Sequence, residues 1–208
     1  PASVDIDLTN ICDQDCYYCN SADFRQNYPT KKSHAEYIEL LNKLAGWRSY
    51  KPDSYGTLHT ITFTGGGEPT LFKNYETVIE HSIDLGFLTS MTTNGSRLNK
   101  LVENINHDKI RTMSWIGVDV DAGSVELYEK IRKSKTKKSL FYKMKDNVKA
   151  LTNVGANVDL KVLLGEYNTD DHALNDILSM AKELNVRQVY FRPVLSLPKG
   201  KSFPIIDY

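Results

Sequence analysis

Residues 3–20 read SVDIDLTNICDQDCYYCN. The first seven alternate, with Val4, Ile6 and Leu8 apolar and Asp5, Asp7 and Thr9 polar. A period of two marks a strand with one apolar and one polar face. The strand runs straight into Cys12, Cys16 and Cys19, the only cysteines among 208 residues. An odd count at such tight spacing makes a poor disulfide framework, so reduced, cytoplasmic thiols are expected.

The same alternation recurs along the chain. Strands are expected over 3–9, 59–65, 88–95, 113–121, 157–165 and 188–194, each rich in Val, Ile, Thr or aromatics. Helices are expected over 33–47, 74–86, 97–106, 139–155 and 171–185, with a short one over 124–132, and Gly86 and Gly155 fall at C-cap positions. Repeated βα units imply a parallel sheet with right-handed crossovers.

Sheets covered by helices on both faces read as nearly continuous apolar runs. These strands instead pair Ile61 and Phe63 with Thr60, Thr62 and Thr64, and Val118 and Val120 with Asp119 and Asp121. Leu160 and Val162 alternate with Asp159 and Lys161, and Val189 and Phe191 with Tyr190 and Arg192. One face must meet helices, and the other must look into something wet, charged or ligand-filled. The fold class is therefore α/β, a partial (β/α)6 TIM-like barrel with a polar lumen. A flat sheet with one solvated face is the plainer alternative.

Composition is that of a globular domain, 40% apolar and 25% charged, with 26 basic and 26 acidic residues. Net charge argues for no particular partner. No apolar run is long enough to span a bilayer, and no signal-peptide pattern opens the chain, so no membrane association is expected. Pro1 stands where Met would begin a complete chain, which suits a chain trimmed at its ends. The run RKSKTKKSLFYKMK (132–145) is strongly basic. It suits a solvated loop and helix face, or contact with a phosphate-bearing substrate or RNA. Trp47 and Trp115 are expected to pack.

Three thiolates in one loop can converge on one metal centre, and soft sulfur selects zinc, copper(I) or iron–sulfur groups. Zinc would need a fourth ligand, for which His34 is nearest in sequence. A cubane held by three cysteines would leave one iron open to a small molecule.

The spacing Cys12-x3-Cys16-x2-Cys19, with Tyr18 just before the last cysteine, resembles the radical S-adenosylmethionine (SAM) superfamily. FTGGGEPT (63–70) resembles the family's Gly-Gly-Glu-Pro motif, TTNG (92–95) a frequent third-strand ending, and VDVDAGSVELYEKIR (118–132) its fourth-strand segment. The resemblance spans residues 3–194 and implies a radical SAM core domain over 1–194, related to the SPASM or twitch branch. The tail over 195–208 would cover the barrel mouth or begin a further segment. Cys12, Cys16 and Cys19 would hold an oxygen-sensitive 4Fe–4S cluster, and SAM would chelate the fourth iron. Reductive cleavage would yield a 5′-deoxyadenosyl radical that abstracts hydrogen from substrate. Cofactor contacts would fall to Tyr18, Gly66, Gly67, Glu68, Ser90, Asn94, Asp119, Lys161 and Arg192. Lys161 and Arg192 would otherwise belong to an ion-pair network in the lumen, and Asp121 is read as a turn or cap residue. The electron would come from a donor such as flavodoxin or ferredoxin. The substrate would be a peptide or protein, or alternatively tRNA or a small molecule, with nucleic acid the weaker partner. A reading from another class is an iron–sulfur redox carrier without SAM chemistry.

Overall fold

The computed structural model describes residues 2–27, 32–50 and 58–194. The expected tail, 195–208, lies outside the described residues. The elements run β1 (Ala2–Asp7), α1 (Ala22–Asn27), α2 (His34–Tyr50), β2 (Leu58–Thr64), a 3-10 turn (Pro69–Leu71), α3 (Tyr75–Asp84), β3 (Leu88–Thr93), α4 (Asn99–Asn104), α5 (His107–Thr112), β4 (Trp115–Asp119), α6 (Val125–Arg132), α7 (Phe141–Asn153), β5 (Val158–Leu164), α8 (Asp171–Leu184) and β6 (Gln188–Pro193).

Among the described residues the six strands form one sheet in sequence order, every neighbouring pair parallel. β1 and β6 are its two edges, so the barrel is partial, as the alternation demanded. The apolar face carries Ile6, Ile61, Phe63, Met91, Val118, Leu160 and Val162, all buried. Helices cover it with Leu41 and Leu44 from α2, Val78 and Ile79 from α3, Met144, Val148 and Leu151 from α7, and Ile177 and Met180 from α8. Each such side chain contributes about 1.5–3 kcal/mol relative to leaving it exposed.

Local chemistry sets the element ends. Gly86 and Gly155 adopt positive φ (76° and 83°) just after α3 and α7, as C-cap glycines do. Asp170 caps α8, its carboxylate accepting from the Ala173 amide at 2.9 Å. Trp47 departs from expectation: it is 71% exposed on α2. Trp115 is half-buried in the lumen beneath the Lys161 ammonium, 4.2 Å from its ring centre. No described helix is long and apolar enough to cross a membrane.

Candidate active site

The C-terminal strand ends enclose a cavity of about 410 Å³. Its walls take Thr64–Pro69 from the end of β2, Thr92–Asn94 from β3, Asp119 from β4, Leu163 from β5, and Pro193 and Val194 from β6. The loop after β1 supplies Cys12, Cys16 and Cys19. This is the end of a parallel barrel where loops host chemistry.

The cysteine loop is held by bonds within the chain. The Ile11 carbonyl accepts from the Glu68 amide at 2.8 Å. Asp13 accepts from the Asn94 side-chain amide at 2.7 Å and from the Ser96 hydroxyl at 2.8 Å. On the other side, the Tyr17 amide donates to the Ile131 carbonyl at 2.9 Å and the Asp15 amide to the Lys133 carbonyl at 2.9 Å. Arg25, on α1, donates from Nη1 to the Cys19 Sγ at 2.9 Å and to the Gly66 carbonyl at 3.1 Å. Burial pushes the Cys12 thiol up and Cys16 up to about 12. Neither is a thiolate at neutral pH, so metal loading must release protons.

The glycine-rich run serves the chain as well as any ligand. A Cβ on Gly67 would lie 2.3 Å from the Ile11 carbonyl oxygen, so only glycine lets the two loops meet. Glu68 is buried with four donors around it. Its Oε1 accepts from the Thr70 amide (3.0 Å), the Thr70 hydroxyl (2.6 Å) and the Thr93 hydroxyl (2.6 Å), and its Oε2 from the Asn94 amide (2.6 Å). The carboxylate thus joins the 3-10 turn to the end of β3, although burial raises its pKa.

Beside this stands a buried ion pair. Arg132, at the end of α6, bonds Asp121 through Nη1 and Gln14 of the cysteine loop through Nε at 3.0 Å. Gln14 in turn donates to the Tyr128 hydroxyl. Asp121 sits at φ 56° and accepts from the Leu163 amide at 2.6 Å, so it is both a turn residue and an ion-pair partner. Tyr18 lies beside this pair, where burial drives its phenol well above the ordinary range. Asp119 faces the cavity, and burial, only partly opposed by Arg132, lifts its carboxyl to about 6.

Of the residues expected to contact cofactor, Tyr18, Gly66, Gly67, Glu68, Asn94 and Asp119 line the cavity together with the three cysteines. Ser90, Lys161 and Arg192 do not. Ser90 is buried low in the lumen. Lys161 folds across Gly117 and donates to the Thr92 hydroxyl at 2.8 Å, while Arg192 is exposed on the edge strand. Asp159, the acidic residue two positions before Lys161, pairs instead with Arg187, at 2.7 Å. Arg25, Arg132, Gln14 and Thr92 also line the cavity and went unread.

The zinc alternative finds no support. His34 bonds the Thr77 hydroxyl at 2.6 Å, away from the thiols. Among the described residues no three His, Cys, Asp or Glu side chains form a group that could hold a metal ion. A cubane gives each thiol its own iron, so its ligands stand around it instead of meeting at a point. Three thiols, all soft donors, on the wall of one cavity fit that group.

Residues 6–181 match the Radical SAM superfamily. The chain belongs to this superfamily. The family's cofactors are SAM and a 4Fe–4S cluster. A curated relative from Lacinutrix mariniflava, named S-adenosylmethionine-dependent nucleotide dehydratase, is 26% identical over 215 residues. That match covers 99% of this chain but 40% of the relative, so the chain spans about two fifths of the relative's length. Streptococcus suis SuiB bound to S-adenosylmethionine superposes with a TM-score of 0.71 at 14% identity, covering 100% of this radical SAM chain and 44% of SuiB. The anSMEcpe structure with bound AdoMet gives 0.64 at 18% identity, covering 94% and 52%. At these identities the structural likeness establishes the fold.

Proposed function

We propose that this chain is the SAM-cleaving core of an enzyme that abstracts a hydrogen atom from a nucleotide. The observation that carries the chemistry is one cavity, at the C-terminal end of a parallel barrel, onto which three thiols, a glycine-rich strand end and the Asp119 carboxylate all face. Cys12, Cys16 and Cys19 would each hold one iron. Bound together, the cluster and SAM supply a one-electron carbon–sulfur cleavage that ends in hydrogen-atom abstraction. The chain's own residues do the placing. The carbonyls of Gly65–Gly67 and the Asn94 side chain offer polar contacts to the methionine end. Asp119 accepts from ribose hydroxyls, and Arg132 places a buried cation in the wall. Glu68 and Arg25 keep these parts in register.

The nucleotide reading is supported by the dehydratase relative, whose match runs nearly the length of this chain. The expected peptide substrate is the second reading, since SuiB has been seen with its precursor peptide SuiA and anSMEcpe with a peptide. The test is anaerobic loading with iron and sulfide, to about four irons per chain, then reduction by dithionite with SAM present. Formation of 5′-deoxyadenosine establishes the core reading. A panel of nucleoside triphosphates deuterated on the ribose then tests the substrate. Deuterium in the 5′-deoxyadenosine supports a nucleotide, and none from any member of the panel removes it.

A further inference from the structure

The polar face of the lumen begins on β1 with Asp5 and Asp7, which alternate with buried Ile6 and Leu8. Register sets Asp5 beside Thr62 and Asp7 beside Thr64. Both carboxylates are exposed, and among the described residues neither is hydrogen bonded or ion paired. The Asp7 carboxylate lies against Gly65, where a Cβ would stand 3.0 Å from its Oδ1. Gly65 lines the cavity, so this carboxylate sits at the cavity's edge. One row lower, Asp5, Thr62 and Ser90 stand side by side on β1, β2 and β3. Ser90 is fully buried, and its hydroxyl has no partner among the described residues. A buried polar atom that the protein leaves unmatched points to a ligand atom or water that matches it.

The lumen's cations stand on the far strands. Lys161 on β5 and Arg192 on β6 belong to no ion pair among the described residues, while Asp159 and Asp121 are held by Arg187 and Arg132. In a flat sheet β1 and β5 would lie about 19 Å apart. Lys161 is nevertheless within electrostatic reach of Asp5, as it is of Asp119, Asp159 and Arg192. The curl of the sheet therefore brings the acidic strand to face the basic ones.

We propose that Asp5 and Asp7 read the base of the nucleotide and select one that bears an amino group. The inference rests on the nucleotide reading of the substrate. A nucleotide is anionic at one end and offers N–H donors at the other, and the lumen is charged in the complementary sense across its width. An ionised carboxylate only accepts hydrogen bonds. It suits the exocyclic amine of cytosine, adenine or guanine. Uracil turns a carbonyl oxygen where cytosine turns its amine, which sets two acceptors face to face. A site built to hydrogen-bond one group rejects the analogue that lacks it, because its own polar atoms are left unpaired. The unmatched Ser90 hydroxyl, in the row of Asp5, supplies the donor that a ring acceptor of the same base needs.

The test is calorimetric titration of the loaded chain with SAM present and no reductant, so that binding is read apart from turnover. The ligands are CTP against UTP, and ATP and GTP against ITP, each amino-bearing nucleotide beside a partner that lacks the amine. At least one amino-bearing nucleotide is expected to bind about tenfold or more tightly than its partner. In Asp5→Ala/Asp7→Ala that ratio should fall to within about twofold, through loss of the amino-bearing member alone. Asp5→Asn/Asp7→Asn keeps the shape and one acceptor oxygen on each side chain, so an intermediate ratio is expected. This second variant decides the matter if the alanine pair loses both nucleotides. A ratio near one in wild type overturns the proposal. So does a ratio that survives both variants, or a gain shared by both members, which would show that the carboxylates only repel phosphate. A lysine-bearing peptide that binds wild type in place of every nucleotide, and fails to bind the alanine pair, also overturns it and gives the carboxylates to an amine on a peptide. That result, like failure of every nucleotide to bind, rejects the nucleotide reading itself. A ratio near one among nucleotides that do bind rejects this proposal alone.

Discussion

At the scale of single residues, Asp119 is the most informative side chain. Its carboxyl keeps a proton to about 6 in the folded chain, against 3.8 as an ordinary carboxyl. Between those values the folded state binds more protons than the unfolded one, so stability falls as pH rises through the window and stays lower above it. Asp119→Asn is therefore expected to stabilise the metal-free protein by about 2 kcal/mol near neutral pH. The difference should shrink toward zero near about pH 4, read from urea midpoints at several pH values. The same change should weaken SAM binding by calorimetric titration, the mark of a residue kept for ligand at the expense of stability. Arg25→Met removes the N–H that reaches the Cys19 sulfur. The loaded variant should show a lower cluster reduction potential in a titration followed by electron paramagnetic resonance, since hydrogen bonds to the sulfurs favour the more negative state. An unchanged potential would assign Arg25 only to holding Gly66. The cysteines, Asn94 and Asp119 were legible in the sequence because the strand period and motif order put them at strand ends on the lumen face. Ser90 and Lys161 share that face but sit deeper, and alternation reports the face without the depth. Arg25 and Arg132 lie on helices, where nothing in the local pattern tells which long cation turns inward.

At the scale of elements, the site depends on two loops fused through their backbones. Gly67→Ala would drive a methyl into the Ile11 carbonyl, 2.3 Å away. A cost of about 1–3 kcal/mol is expected, with iron content reduced in parallel. Thermal melts and iron analysis on the same preparation check both. The glycine motif is commonly read as a ligand cradle, and this contact shows a second constraint that a motif match does not disclose. The strands were read nearly to their ends, with β5 expected over 157–165 and found at 158–164. Their signal is a strict period of two with branched residues. The helices α1 and α5 went unread. Each has six residues, too few for a 3.6-residue period to show, and each is held by its neighbours more than by its own composition.

At the scale of the whole molecule, protection should follow the sheet's order. β2, β3 and β4 lie in the middle, while β6 is an edge whose last four residues are exposed. Native-state hydrogen exchange is expected to rank β3 among the slowest strands and β6 as the fastest. Equal protection across the six would overturn that ranking. The open barrel was legible because polar alternation and six strands together exclude a packed, closed interior. The cysteine loop, for its part, is stitched to the ends of β2 and β3 and to the segment after α6 by amide, carboxylate and guanidinium bonds alone. A zinc finger collapses when its metal is chelated. A loop held by so many bonds of its own should keep its shape when iron is removed, so a chelator should bleach the protein's brown colour while its circular dichroism stays as it was, and repeated stripping and refilling should cost little material.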